Sequence, residues 1–254
     1  MNSKTALIIG ATGATGSALV KQLLNNDSYG TVHVFARRQG DLEHDKLQWH
    51  VVDFEQLDSW KEKLKGDVLF SAMGTTLKTA GSKDAQYQID YNYQHDVAQA
   101  ASKNGVASLL LVSSVGSSSK SPFFYPKIKG QLEDAVSQMD FKQVHIFQAP
   151  MLDRGSFLRS NEKSGIKVLN LVNKLGVLRS QMPMPVDFLA KQMIRVSNRE
   201  SDAKVKKYKL SDEEKNKCLV ASKAVGGDFT AVDFIANGDD PYFLEVNSSP
   251  GTDG

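Results

Sequence analysis

Two serines, a tyrosine and a lysine stand in an order that could move a proton at an oxygen: Ser113-Ser114, then Tyr125, then Lys129 one helical turn further on. A phenol ordinarily titrates at about pH 10, too high for an efficient acid–base group near neutrality. A lysine ammonium one turn away favours the phenolate. A serine hydroxyl at a neighbouring strand end would polarise a substrate oxygen. A carbonyl that accepts a hydride needs such a proton donor at its developing alkoxide, so this set points to redox chemistry at a carbonyl or hydroxyl. A tyrosine and a lysine reach this spacing by chance on many helices. What distinguishes this pair is its place in the chain, after a glycine loop and a Ser-Ser strand end.

A carrier for the hydride has a matching segment near the start, Ala6 to Gly16, spelled Ala-Leu-Ile-Ile-Gly-Ala-Thr-Gly-Ala-Thr-Gly. The apolar run predicts a strand buried on both faces, as in a parallel sheet. Gly10, Gly13 and Gly16 follow, and a helical pattern opens after them through Ala18, Leu19, Leu23 and Leu24. Strand, tight turn and helix N-terminus gather unsatisfied backbone N–H groups around one point, which suits a pyrophosphate. Gly10, Thr12, Gly13, Ala14, Thr15 and Gly16 are the candidate phosphate-binding residues. A tight strand-to-helix turn also needs glycine for steric reasons alone.

The elements that would position these groups alternate strand and helix. Thr31 to Ala36 reads as a second strand ending in Arg37-Arg38, beside the adenine ribose in a doubly wound fold. An acidic residue there would bind a ribose 2′-hydroxyl; two arginines offer forks to a 2′-phosphate, or form a solvated basic turn. NADP(H) is therefore expected in preference to NAD(H). Leu47 to Val52 predicts a third strand, followed by Asp53-Phe54, where the aspartate either binds the adenine amino group or caps the next helix. Asp67 to Ser71 predicts a fourth strand, running into Ala72-Met73-Gly74, whose small residues let a ribose pass close to the backbone. A helix over about Lys83 to Asn104 is stopped by Gly105, and a fifth strand covers Ala107 to Val112. Lys127 to Met139 predicts a helix and Phe141 to Phe147 a sixth strand, closed by Gln148-Ala149-Pro150. The fold class expected is α/β, a doubly wound parallel sheet with a small α+β appendage at the C-terminus.

Bulk properties narrow the function. The chain has 254 residues, 41% hydrophobic and 24% charged, with a net charge of +2. That is an ordinary globular composition without the basic field of a nucleic-acid binder. The single cysteine, Cys218, excludes an internal disulfide and fits a reducing compartment. No apolar run reaches the roughly 20 residues of a membrane span. A strand entered by residue 5 predicts no signal peptide, so the expected location is cytoplasmic.

Residues 1 to about 205 resemble a short-chain dehydrogenase/reductase, through the GATGATG loop at Gly10 to Gly16, Ser113-Ser114 and Tyr125-x-x-x-Lys129. The loop spelling and the Gly74-Thr-Thr turn are most similar to atypical NAD(P)-binding members, the small Tat-interacting-protein-like subgroup among them. The resemblance implies Tyr125 as acid/base, Lys129 as its partner and a ribose ligand, and Ser114, or Ser113 one register away, as the polarising hydroxyl. It also puts Pro150 among the cofactor-binding residues. Asp90 stands where the wider family often carries an asparagine for a proton relay, and Gln148 where related chains usually carry arginine. Met151 to Glu200 would supply the substrate pocket.

From about Ala203 the character changes, and residues 206 to 254 are expected to form the appendage. A charge-dense stretch precedes a helical pattern over Glu213 to Val225 and two β-like runs, Phe229 to Ala236 and Tyr242 to Val246. Glu245 and Asn247 share one face of a strand, and hard oxygen donors suit Mg²⁺. The ending resembles the metal-binding end of an ATP-grasp ligase of the ribosomal-protein glutamate ligase type, which implies Asp233, Glu245 and Asn247 as Mg²⁺ ligands for ATP. The rest of a ligase domain has no counterpart upstream. A lone hairpin exposes apolar strand faces, so docking on the reductase or homodimerisation is expected. Three readings follow, in order: an NADP(H)-dependent oxidoreductase on a small carbonyl substrate, a catalytically silent NADP(H) sensor or scaffold, and an ATP/Mg²⁺-dependent ligase remnant.

Overall fold

Ala6 to Ile9 have no solvent exposure, because the strand they form is covered on both faces. The computed structural model describes residues 3–153, 184–199 and 203–209, and the backbone of 231–237 and 240–247. In chain order the elements are β1 (Lys4–Ile9), α1 (Ala14–Leu24), β2 (Tyr29–Ala36), β3 (Leu47–Val51), β4 (Val68–Ser71), α2 (Leu77–Ala80) and α3 (Lys83–Tyr87). They continue with α4 (Tyr93–Lys103), β5 (Ser108–Ser114), α5 (Phe124–Ser137), β6 (Gln143–Ala149), β7 (Leu152–Asp153), β8 (Met184–Pro185), α6 (Val186–Ser197) and β9 (Val205–Lys209). A seven-stranded sheet has the order β3-β2-β1-β4-β5-β6-β9, and every pairing in it is parallel. This is the doubly wound Rossmann arrangement.

One face of the sheet presents Ile8, Val34, Phe70 and Leu110 to Leu19 and Leu23 of α1 and to Leu189 and Met193 of α6. The other presents Ile9, Phe35, Leu69 and Leu111 to Val97 and Ala101 of α4 and Leu132 of α5. Successive residues of one strand serve opposite layers, which is why these strands are nearly continuous apolar runs. Strand order reverses between β1 and β4, and the loops after these two strands meet there. That crevice is where a doubly wound sheet binds ligands.

Three differences from the expected layout matter for the site. The helix expected from Lys127 begins at Phe124, so Tyr125 lies within its first turn, and Pro126 is tolerated there because N–H groups at a helix start have no intrahelical partner. Between α3 and α4 the chain makes a π-helical turn, Gln88–Asn92, with α-helical backbone at both junctions. Val205–Lys209 joins the sheet as β9 beside β6, so the parallel sheet runs past the boundary expected at 205. The exposed Lys207 and Lys209 flank Tyr208, which is buried against Phe147 at 4.8 Å between ring centroids, and lysine on an edge strand discourages further strand pairing.

Downstream, β10 (Ala231–Asn237) and β11 (Asp240–Asn247) form an antiparallel hairpin. Asp233 and Glu245 are register partners in it, and Ala231 pairs with Asn247. The side chains of this expected Mg²⁺ set lie outside the described residues, as do the helix expected over Glu213 to Val225 and Arg154, Arg159 and Arg179 of the expected substrate region. Among the described residues, no helix is long and apolar enough to cross a membrane.

Candidate active site

Gly10 has φ +84°, a left-handed backbone that favours glycine. A Cβ there would lie 2.5 Å from the Ala72 carbonyl carbon, so the loop after β1 touches the loop after β4 only because position 10 lacks a side chain. Gly13 caps α1 and donates its N–H to the Gly10 carbonyl at 3.0 Å, closing the turn. A Cβ at Gly16 would overlap the Gly10 carbonyl. No side chain caps the start of α1, which leaves its first amides pointing at the crevice. Thr12 and Gly13 are exposed, Ala14 is half-buried, and Thr15 and Gly16 are buried within the helix.

A cleft of about 620 Å³ runs along these loops, walled by Gly10, Thr12 and Gly13 on one side and by Ala72, Met73 and Gly74 on the other. Arg37, Arg38 and Phe54 close its far end. Ala11, Phe35, Thr75, Thr79 and Ile89 also line it. Phe35 and Ile89 carried no signal in the sequence, since each reads as a core residue. Asp53 is not in the cleft wall. Its Oδ1 accepts from the Glu55 N–H at 2.9 Å and its carbonyl accepts from Trp60 Nε1 at 2.8 Å, so of the two expected roles the structure displays the capping one. The cleft fits a dinucleotide: bare glycine backbone and free amides for the pyrophosphate, small residues opposite, and two guanidinium groups at the far end.

Beside the cleft, β5 ends in the two serines and α5 crosses it. Lys129 is 2% exposed, and its Nζ donates to the Val112 carbonyl at 3.0 Å, pinning α5 to the strand. Burial lowers the Lys129 pKa, with the charges of Asp90 and Glu133 acting in the opposite sense. Tyr125, one turn earlier, is 38% exposed. The two serines point to opposite faces, as neighbours on a strand must. Ser113 is buried and donates to Glu133 Oε1 at 2.5 Å. Glu133 also accepts from Gln148 Nε2 at 3.0 and 2.9 Å and from Lys207 Nζ at 3.0 Å. Ser113, the alternate in the expected register, is therefore engaged in a network joining β5, α5, β6 and β9. Ser114 is half-buried, and its Oγ donates to the Val115 carbonyl at 3.3 Å. Gln148, where an arginine is usual in related chains, is a buried donor in the same network. Pro150 follows directly on β6 at the same end of the sheet.

Gly130, next to Lys129, had no sequence signal beyond its helical position. A Cβ there would collide with the Ser118–Ser119 backbone, so the loop after β5 lies flat on α5 because of this glycine. Asp90, in the π-helical turn, has no exposed surface; its Oδ1 accepts from the Thr75 N–H at 3.2 Å.

The fold and cleft define a dinucleotide-binding α/β protein, and residues 10–146 match the family model described as NAD(P)H-binding. The chain belongs to this NAD(P)H-binding family. Residues 187–254 match a RimK-like ATP-grasp domain. Over 173 residues the chain is 35% identical to the mitochondrial protein FMP52 of Meyerozyma guilliermondii, covering 66% of this chain and 74% of that one. Rat HTATIP2 is 33% identical over 156 residues, covering 60% of this chain and 64% of that one. The chain thus spans about two thirds of the length of several of the curated relatives it matches. Among solved structures, the Bordetella bronchiseptica enzyme WbmG in complex with NAD is similar at a TM-score of 0.64 and 16% identity, over 94% of this chain and 83% of that one. The UDP-N-acetylglucosamine 4-epimerase of Bacillus cereus is similar at 0.60 and 15%, over 82% and 78%. At these identities the likeness shows the fold alone. The cytoplasmic location expected from the sequence is corrected by the relatives, since the FMP52 proteins are named mitochondrial.

Proposed function

We propose that the chain is an NADP(H)-dependent oxidoreductase of the short-chain type, acting on a small carbonyl or hydroxyl substrate with Tyr125 as the acid/base. The observation that carries this reading is the Lys129 to Val112 hydrogen bond, which fixes α5 against the end of β5 with Tyr125 one turn away at the surface. The cofactor would supply the hydride. Tyr125 would deliver or accept the proton at the substrate oxygen, Ser114 would polarise that oxygen, and the Lys129 ammonium would favour the phenolate. Arg37 and Arg38 support NADP(H) over NAD(H), because only a 2′-phosphate has the charge to engage two guanidinium groups.

The test is Tyr125→Phe, assayed with a panel of aldehydes and ketones while NADPH binding is followed by nicotinamide fluorescence. Turnover should fall by about a thousandfold, the range for loss of a general acid, with the NADPH dissociation constant unchanged. Turnover that survives the substitution would remove Tyr125 from the reaction.

A further inference from the structure

Phe123 and Met151 are the two most exposed large apolar side chains among the described residues, at 72% and 65%, and Val115 is 52% exposed. All three stand on the loops after β5 and β6, beside Ser114 and Tyr125. An apolar side chain exposed singly is ordinary. A group of them gathered on the loops around one site marks a surface that a ligand or partner covers.

The backbone carrying these side chains is tied down. Val115 donates its N–H to the Ala149 carbonyl at 3.0 Å, which carries the β5–β6 ladder one residue past the end of β5. Met151, two residues beyond Ala149, accepts at its carbonyl from the Met184 N–H at 2.8 Å, where β7 and β8 begin to pair. The loop from Val115 to Phe123 is pressed onto α5: the Ser118 N–H donates to the Pro126 carbonyl at 3.1 Å, and the bare Gly130 leaves room for the Ser118–Ser119 backbone. The polar groups at the same strand ends are turned inward, Ser113 and Gln148 onto Glu133 and Lys129 onto the Val112 carbonyl. Residues 113–115 and 148–151 carry no charged side chain. What remains at the surface there is the Ser114 hydroxyl, the Tyr125 phenol and hydrocarbon.

We propose that the substrate of this site is a carbonyl or hydroxyl compound with an uncharged hydrocarbon chain, its oxygen at Ser114 and Tyr125 and its chain across Val115 and Met151, with Phe123 at the rim. The placing of the oxygen rests on the oxidoreductase reading; the apolar wall does not. A carboxylate or phosphate on the chain would lose hydration against this wall, with no cation at these strand ends to replace it. In the reductive direction an alkanal takes a hydride at its carbonyl carbon and a proton at its oxygen. It leaves as the primary alcohol, with NADPH oxidised to NADP⁺.

The test is steady-state kinetics with NADPH on the straight-chain series propanal, butanal, hexanal and octanal, with succinic semialdehyde as the charged counterpart of butanal. Along the series kcat/KM should rise by about two- to fourfold for each methylene, the range from a half-covered to a buried CH₂. Succinic semialdehyde should fall about tenfold or more below butanal. Met151→Ser and Val115→Ser should each flatten the rise with chain length, and both positions are exposed enough to accept serine without loss of fold.

A series without chain-length dependence, a rise that both variants keep, or succinic semialdehyde ahead of butanal would overturn the proposal while carbonyl turnover stood. If no aldehyde is turned over, isothermal titration of octanamide into the chain with NADPH present decides. Binding that weakens by about fivefold in Met151→Ser and in Val115→Ser would leave the apolar wall standing and the oxidoreductase reading fallen. Octanamide that does not bind, or that binds both variants as it binds the wild type, would overturn the wall as well.

Discussion

Arg37 and Arg38 sit exposed at the end of β2, in the wall of the cleft, with Phe35 and Phe54 as neighbours in the same wall. An adenine ribose at this end would bring its 2′ substituent to two forked donors. Charge-assisted hydrogen bonds contribute about 1.5–3 kcal/mol, and exposure to water and salt takes the expected value to the lower end. Arg38→Ala, and separately Arg37→Ala, should each weaken NADPH by about tenfold and leave NADH within about twofold, with the NADPH loss shrinking as salt is raised. Isothermal titration with both nucleotides measures this; equal losses for NADPH and NADH would show that the arginines only solvate a turn. At this scale glycine and arginine were readable in advance, because a tight turn and a charged strand end restrict residue type. The full burial of Asp90 beneath the loop after β4 was not: it depends on a π turn, which a sequence pattern at 3.6-residue period does not register. Ser114 and its one-register alternate Ser113 are separated by strand alternation, which turns Ser113 towards Glu133.

Among the elements, those with continuous apolar runs were legible: β1, β4 and β5 each bury both faces. β9 was not legible, since Val-Lys-Lys-Tyr-Lys reads as a charged linker and only Tyr208 of it is buried. Its attachment is polar as well as apolar. His145 of β6 is 1% exposed, and its Nδ1 lies 3.0 Å from the Tyr208 hydroxyl. Burial, with Lys206 adding to it, pushes His145 down to about 4, while burial pushes the Tyr208 phenol up to about 12. The unfolded chain takes up a proton at this histidine near 6.5 and the folded chain does so only near 4. The stability it contributes is therefore present above about pH 6.5 and is lost as pH falls towards 4, a span on the order of 3 kcal/mol at most. His145→Phe should be less stable at pH 7 and show a shallower decline between pH 7 and 4.5 in urea unfolding. A constant gap between wild type and variant across that window would place the acid sensitivity elsewhere.

For the whole molecule, the two family matches meet within elements of one sheet. The RimK-like match starts at residue 187, yet Leu189, Ala190 and Met193 of α6 are buried against α1, and β9 completes the parallel sheet. The helix and strand at the front of that match thus do Rossmann work, which leaves a smaller remainder for nucleotide chemistry of the ATP-grasp kind. Within the remainder the described backbone is one hairpin, and two strands alone make a marginal unit. NADPH and MgATP should accordingly act differently on the full chain. A ligand that binds only the folded state at a hundred times its dissociation constant adds about 2.7 kcal/mol, worth roughly 5–10 °C in Tm for a domain of this size. NADPH should produce such a shift, and MgATP at the same multiple of a typical ligase affinity should produce less than about 1 °C. A MgATP shift matching that of NADPH would mean that the C-terminal segment holds a complete nucleotide site, and that α6 and β9 serve two folds at once.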